Sequence, residues 1–213
     1  MELLALAWDI AVHLDKHLAA LLAQYGTWVY AILFLIVFAE TGFVVTPFLP
    51  GDSLLFVAGA IAAVGGMQLP LLIVLLIVAA VLGDAVNYSI GSYFGPKVFH
   101  WESSRFFNKA ALMKTHVFYE QHGGKTLVIT RFIPILRTFA PFVAGIGAMT
   151  YARFQAFNVS GAVLWVGSLS VAGYLFGNLP IIQNNLSLVI LAIVVVSTLP
   201  AAIGYLKHRR APH

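Results

Sequence analysis

The sequence predicts an all-α polytopic membrane protein, built as a single integral membrane domain over residues 1–213. Three observations predict this class. The chain is 61% hydrophobic and 9% charged, with a mean hydropathy of +0.92, which is more apolar surface than a soluble domain of this size can bury. Long apolar stretches alternate with apolar stretches that proline and glycine interrupt. A series of short sequence motifs also occurs twice along the chain, in the same order.

The N-terminal part is predicted to lie on the membrane surface. Residues 1–25 fit an amphipathic helix with Asp9, Asp15 and Lys16 on its polar side. No basic n-region or small-residue cleavage site is present, so we expect mature protein here and not a signal peptide. An apolar run follows, from Trp28 to Ala39.

The first predicted repeat covers about residues 40–95. Residues 44–66 are apolar but contain two prolines and four glycines, and a single crossing needs about 20 uninterrupted residues. We therefore predict a re-entrant helical hairpin for this stretch. Residues 69–94 are long enough for a full transmembrane helix, which carries Asp84 and Asn87.

The second half repeats this plan after a basic linker. Residues 96–125 are predicted to form a cytoplasmic amphipathic helix, and residues 126–177 a second repeat with its own hairpin and crossing. A final C-terminal transmembrane helix is predicted at about residues 186–206, before the basic run Lys207-His208-Arg209-Arg210. The positive-inside rule then places the linker and the C-terminus on the cytoplasmic side of the membrane.

Matching short sequence motifs mark the two repeats. Phe56-Val57-Ala58-Gly59 returns as Phe142-Val143-Ala144-Gly145, and Gly91-x-x-Phe94-Gly95 returns as Gly173-x-x-Phe176-Gly177. With the flanking charges, this order predicts an inverted-topology repeat, in which the two hairpins dip from opposite faces. Transporters of this design bind their substrates near the midplane, at broken helices.

Five charged side chains lie within the apolar stretches, and each would cost roughly 2.5–3.5 kcal/mol at the bilayer centre. They are Glu40, Asp52, Asp84, Arg131 and Arg137. Arginine is suited to binding phosphate or carboxylate, so the two arginines are the candidate substrate-binding residues. The three acids are the candidate proton-coupling residues. A purely structural alternative remains, in which buried salt bridges hold the two hairpins together.

A coupling mechanism follows as a hypothesis. In the resting state Glu40 and Asp52 hold the two arginines. Protonation of one acid releases an arginine, which then binds an anionic headgroup. Because three acids face two arginines, one carboxylate is left over to carry a proton.

The composition argues against several other functions. The chain has no cysteine, and its seven histidines fall in predicted surface segments or termini, so we expect no metal site, no cofactor and no histidine-dependent enzyme such as a lipid phosphatase. The net charge of +4 is explained by flanking basic residues, and we expect no nucleic-acid partner.

The chain resembles inner-membrane proteins of the DedA family, in the superfamily of SNARE-associated or VTT-domain proteins. The matching words are Glu40-Thr41-Gly42, Pro47-Phe48-Leu49-Pro50-Gly51-Asp52-Ser53-Leu54-Leu55, Gly83-Asp84, Phe118-Tyr119, Gly123-Gly124, Arg131-Phe132-Ile133-Pro134-Ile135-Leu136-Arg137-Thr138, Ala144-Gly145, and Asn158 with Trp165. The resemblance implies paired re-entrant hairpins and proton-dependent movement of a lipid carrier. It also implies functional roles for Glu40, Asp52, Arg131 and Arg137.

The predicted function is therefore a flippase for an anionic lipid phosphate, such as undecaprenyl phosphate or a phospholipid, coupled to the proton motive force. The alternative is a proton-coupled antiporter for small ions or drugs. A structural or assembly factor is a further alternative, and it should tolerate Arg137→Lys. The expected partners are the lipid headgroup, membrane lipids and protons, and a homo-oligomer is left open.

Overall fold

The computed structural model of the chain describes residues 20, 24–43, 51–100, 124–147, 149–177, 179 and 192. It describes only the backbone of residues 95–100, 134 and 135. The surface helix predicted at 1–25 falls almost wholly outside these residues, as do most of the linker and the crossing predicted at 186–206. The described residues contain six helices and no strand, as expected for an all-α membrane protein.

The six helices are numbered here in chain order. They are α1 (Trp28–Gly42), α2 (Gly51–Ala63), α3 (Leu69–His100), α4 (Lys125–Thr130), α5 (Pro134–Ile146) and α6 (Tyr151–Phe176). Two of them are long and apolar enough to cross a bilayer, Leu69–Phe94 with a mean hydropathy of 2.7 and Tyr151–Phe176 with 1.6. These are the two crossings predicted from the sequence in this part of the chain. Helix α3 continues beyond the predicted crossing to His100.

The second predicted hairpin is a helix, a break and another helix. Helix α4 ends at Thr130, and α5 begins with Pro134 as its first residue. A proline disfavours the helical conformation in the residue before it, and Ile133 is extended, with φ −119° and ψ 105°. The break therefore lies directly between Arg131 and Arg137. Dipping of this segment into one face of the membrane stays a prediction.

The described chain divides into two compact units. The first consists of the described residues within Met1–Leu35, Phe48–Leu76 and Trp165–His213, and the second of those within Ile36–Pro47 and Ile77–Leu164. Helices α1, α3 and α6 each contribute residues to both units.

In the first unit, α2 packs closely on the C-terminal part of α6. A methyl group added to Gly59 would overlap the backbone carbonyl of Ser170, and one added to Gly173 would overlap that of Phe56. Glycine is thus required at both positions for the two backbones to approach.

In the second unit, α5 packs on α3 through equivalent contacts. A methyl group on Gly145 would overlap the carbonyl of Tyr88, and one on Gly91 would overlap that of Phe142. Beside this crossing the Tyr88 ring stacks on Phe154, with ring centroids 4.3 Å apart. The glycine words that mark the sequence repeat therefore make matching contacts, one pair in each unit.

Apolar side chains also cover the outside of the long helices. Exposed positions of α3 and α6 include Leu71, Val74, Val78, Leu82, Val159, Val163, Leu164 and Leu175. Charged groups lie inside instead, with Glu40, Asp84, Arg131 and Arg137 all at 3% exposure or less. An apolar exterior around buried charges is the arrangement expected in a bilayer.

Candidate functional site

Close approach of α1 and α3 brings two acids into the second unit. A side chain on Gly83 would overlap the Thr41 hydroxyl, and a methyl group on Gly42 would lie 3.4 Å from the Gly83 Cα. Glu40 is in the last turn of α1, next to this contact, and Asp84 follows Gly83 in α3. The Gly83-Asp84 word is therefore a packing residue followed by a charged one.

The first ion pair joins α5 to α1. Arg137 Nη2 donates a hydrogen bond to Glu40 Oε1, and the two side chains are 2% and 0% exposed. Pairing offsets much of the cost of removing both charges from water.

The second ion pair joins the end of α4 to α3. Arg131 Nη2 donates to Asp84 Oδ2, with side-chain exposures of 3% and 4%, and also to Asn158 Oδ1 of α6. A methyl group on Gly161 would lie 2.9 Å from Arg131 Cδ and Nε. Gly161 thus leaves room on α6 for the arginine side chain.

Asn87 and Asn158 each support one ion pair. Asn87 Nδ2 donates to the carbonyls of Thr41 at 3.1 Å and Thr138 at 2.8 Å. These two residues directly follow Glu40 and Arg137. The Asn87 amide therefore joins the backbone next to Glu40 to the backbone next to Arg137. Asn158 Nδ2 donates to the Val81 carbonyl at 3.1 Å, which ties α6 to α3 one turn before Asp84.

Formally the cluster is neutral, with two acids and two arginines, but its hydrogen bonding is incomplete. Asp84 Oδ1, Asn87 Oδ1 and Arg131 Nη1 are buried and have no hydrogen-bond partner among the described residues. A buried polar group without a partner costs about 1–3 kcal/mol. The two oxygens can accept, and the Nη1 group can donate, a hydrogen bond to a water molecule or to a polar group of a ligand.

Asp52 belongs to the first unit. It lies in the first turn of α2, and its Oδ1 accepts a hydrogen bond of 2.9 Å from Trp165 Nε1. The sequence predicted that Glu40 and Asp52 hold the arginines. The prediction is right for Glu40, but the carboxylate that holds Arg131 is Asp84.

The structure therefore brings together four of the five predicted site residues, namely Glu40, Asp84, Arg131 and Arg137. The contributions of Asn87, Asn158 and Trp165 were not recognised from the sequence. The signal was a polar amide or an indole N–H inside an apolar crossing, where a donor needs a partner. No group of three or more histidine and acidic side chains in the described part of the chain could hold a metal.

Known proteins with similar sequences support the same class. The model of the VTT domain matches residues 49–175. The chain is 56% identical to the protein DedA of Escherichia coli strain K12, over 99% of this chain and 97% of that protein. It is 44% identical to an uncharacterized membrane protein of Mycobacterium leprae, over 79% and 76% of the two chains. No solved structure matches.

A third relative is the inner membrane protein YqjA of Escherichia coli strain K12, which is 40% identical over 71% of this chain and 69% of its own. The four glycines that make the matching contacts, and three of the four charges of the buried cluster, fall within the matched VTT domain. The chain is a membrane protein and belongs to the DedA family of VTT-domain proteins.

Proposed function

We propose that the protein moves an anionic lipid phosphate across the bacterial inner membrane, coupled to the proton motive force. Undecaprenyl phosphate and phospholipids are the cargo candidates. The observation that carries the proposal is the pair of buried arginine–carboxylate contacts in the second unit. In this role Arg131 and Arg137 bind the phosphate, and Glu40, Asp52 and Asp84 are the proton-coupling acids.

Competition between carboxylate and phosphate supplies the coupling. A guanidinium has five N–H donors in a planar fork that fits phosphate oxygens in a bidentate way. Arg131 uses Nη2 for Asp84 and Asn158, whereas its Nη1 has no hydrogen-bond partner among the described residues. A proton on Asp84 removes the charge that holds the arginine, so that a phosphate replaces the carboxylate.

Apolar surface next to this cluster supports a lipid cargo. A shallow groove of about 530 Å³ in the second unit is lined by Phe38, Leu82, Ala85, Val86, Ser89, Ile90, Tyr93 and Phe94. Leu82 and Ala85 are close neighbours of Asp84 in α3. A hydrocarbon tail therefore has apolar surface to lie on while its headgroup reaches the arginines.

The test is transport by purified protein in liposomes that contain labelled undecaprenyl phosphate or labelled phospholipid, with and without a pH gradient. We expect Arg131→Ala and Arg137→Ala to abolish transport and headgroup binding. Arg153→Ala is the matched control, since Arg153 is exposed on α6. Equal transport by all three variants would show that the buried arginines do not bind the cargo.

The amide variants Glu40→Gln and Asp84→Asn test the coupling separately. Each keeps the shape of the side chain but cannot ionise. We expect transport by these variants to lose its dependence on the pH gradient. An unchanged response to pH in both variants would remove Glu40 and Asp84 from the coupling step while leaving anion binding intact.

A proton-coupled antiporter for small cations is the second candidate. Two buried acceptor atoms without hydrogen-bond partners in the described structure, Asp84 Oδ1 and Asn87 Oδ1, favour it, because carboxylate and amide oxygens are ligands for hard cations. Adding Na⁺ or K⁺ to liposomes with an acidic interior distinguishes the two. An antiporter dissipates the gradient without lipid phosphate, and a flippase does not.

In the proposed orientation the C-terminus lies in the cytoplasm, as the basic residues after position 206 indicate. The protein acts without a cofactor and without covalent chemistry on the lipid. Recovery of chemically unchanged lipid after transport tests this, and appearance of dephosphorylated lipid would indicate an enzyme.

A further inference from the structure

Trp165 occupies a position that packing alone does not explain. The side chain is fully buried, at 0% exposure, and its Nε1–H donates to Asp52 Oδ1 at 2.9 Å. The indole N–H can only donate, and Asp52 lies in the first turn of α2, where the helix dipole favours negative charge. The indole N–H therefore holds one oxygen of the Asp52 side chain at the start of α2.

The matching helix pairs show that this contact has a counterpart. Asp52 lies seven residues before Gly59, as Thr138 does before Gly145. In the second unit Asn87 of the crossing helix α3 donates to the Thr138 carbonyl. In the first unit Trp165 of the crossing helix α6 donates to the Asp52 side chain. Each crossing thus holds the same position of its packed hairpin helix, and in the first unit the group held is a carboxylate.

We propose that Trp165 is a positioning residue for transport, because its N–H fixes the orientation of the Asp52 carboxylate at the start of α2. The inference rests on the proposed function, in which Asp52 is a proton-coupling acid. Trp165 touches neither the cargo nor the proton itself in this role. Its contribution is to keep one oxygen of the Asp52 carboxylate in a constant position during transport.

The spectroscopic test keeps Trp165 in place and changes its acceptor. In a protein with Trp8, Trp28 and Trp101 replaced by phenylalanine, a ¹⁵N-labelled indole reports only on Trp165. We expect the indole proton to move upfield in Asp52→Ala and to stay near the parental position in Asp52→Asn, whose amide oxygen still accepts. An indole resonance that is unchanged in Asp52→Ala would overturn the proposal.

The functional test removes the donor and keeps the ring. A hydrogen bond to a charged group contributes enough that its loss should lower transport by about ten-fold in Trp165→Phe. Trp28→Phe is the matched control, because Trp28 is 72% exposed. Trp165→Phe should lower transport no further when Asp52 is already alanine. A folded Trp165→Phe protein with parental transport would refute the positioning role.

The two tests separate this inference from the proposed function. Absence of lipid-phosphate transport by the parental protein would refute the proposed function. The indole resonance would then still test whether Trp165 donates to Asp52. Normal parental transport with an unaffected Trp165→Phe variant would sink the inference alone.

Discussion

Replacing Arg131 by methionine removes the charge but keeps much of the side-chain volume, and leaves Asp84 without its basic partner. The pair is 3% and 4% exposed, so solvent does not screen it. Removing one member of such a buried pair costs about 3–5 kcal/mol. We therefore expect Arg131→Met to lower the free energy of unfolding by that amount.

Adding Asp84→Asn to the same protein removes the uncompensated charge. What remains is chiefly the loss of the donor to Asn158 Oδ1, which costs about 1–3 kcal/mol for an unsatisfied buried acceptor. The double variant should thus be more stable than the Arg131→Met single variant. In the proposed function it should still fail to transport, because the phosphate ligand is gone.

Unfolding in mixed detergent micelles measures the stability, and the liposome assay measures transport. Arg153→Met is the control, since an exposed arginine should change stability by less than about 0.5 kcal/mol. Equal destabilisation in the single and double variants would refute the ion-pair reasoning. Recovery of both stability and transport in the double variant would make the pair a structural element only.

Three further changes test individual contacts. Asn87→Leu removes two hydrogen bonds to backbone carbonyls, so it should lower the free energy of unfolding by about 1–3 kcal/mol and reduce transport. A variant with parental thermal stability would argue against a stabilising role for these hydrogen bonds. Gly91→Ala forces a methyl group onto a backbone carbonyl of α5 and should cost about 1–3 kcal/mol on unfolding, whereas Gly167→Ala, with nothing within 4 Å, should cost little; similar values for both would contradict the close approach. Gly161→Leu fills the space of the Arg131 side chain and should weaken headgroup binding in a direct binding assay, and unaltered affinity would count against that contact.

Much of the fold follows from hydropathy and from prolines and glycines. The apolar length of residues 69–94 predicts the first long helix, and Pro134 predicts the break between α4 and α5. The repeated glycine motifs predict the repeat, and in the structure Gly59 and Gly145 of these motifs lie against backbone carbonyls. These signals are local, so each can be recognised in a single sequence from a few neighbouring residues.

The partners within the site could not be predicted in the same way. Whether Asp52 or Asp84 holds Arg131 depends on which helices approach each other, and that is set by small residues such as Gly83 in combination with Gly42. Hydropathy treats the acids as equivalent interruptions of an apolar run. Geometry separates them, since the carboxylate of Asp84 meets a guanidinium and that of Asp52 meets an indole.

The glycine contacts also join helices from the two predicted repeats. In the first unit α2, from the predicted hairpin of the first repeat, packs on α6, the predicted crossing of the second. In the second unit α5 of the second repeat packs on α3 of the first. Neither repeat pairs its own hairpin helix with its own crossing in these contacts. A change that moves α2 or α5 should therefore also move the long helix on which it packs, because the backbones touch without side chains between them. In the first unit this contact joins the helices that carry Asp52 and Trp165, and in the second it joins the helices that carry Arg137 and Asp84. In both units the contact thus joins a helix of the first predicted repeat that carries an acid, α2 or α3, to a helix of the second predicted repeat, α6 or α5.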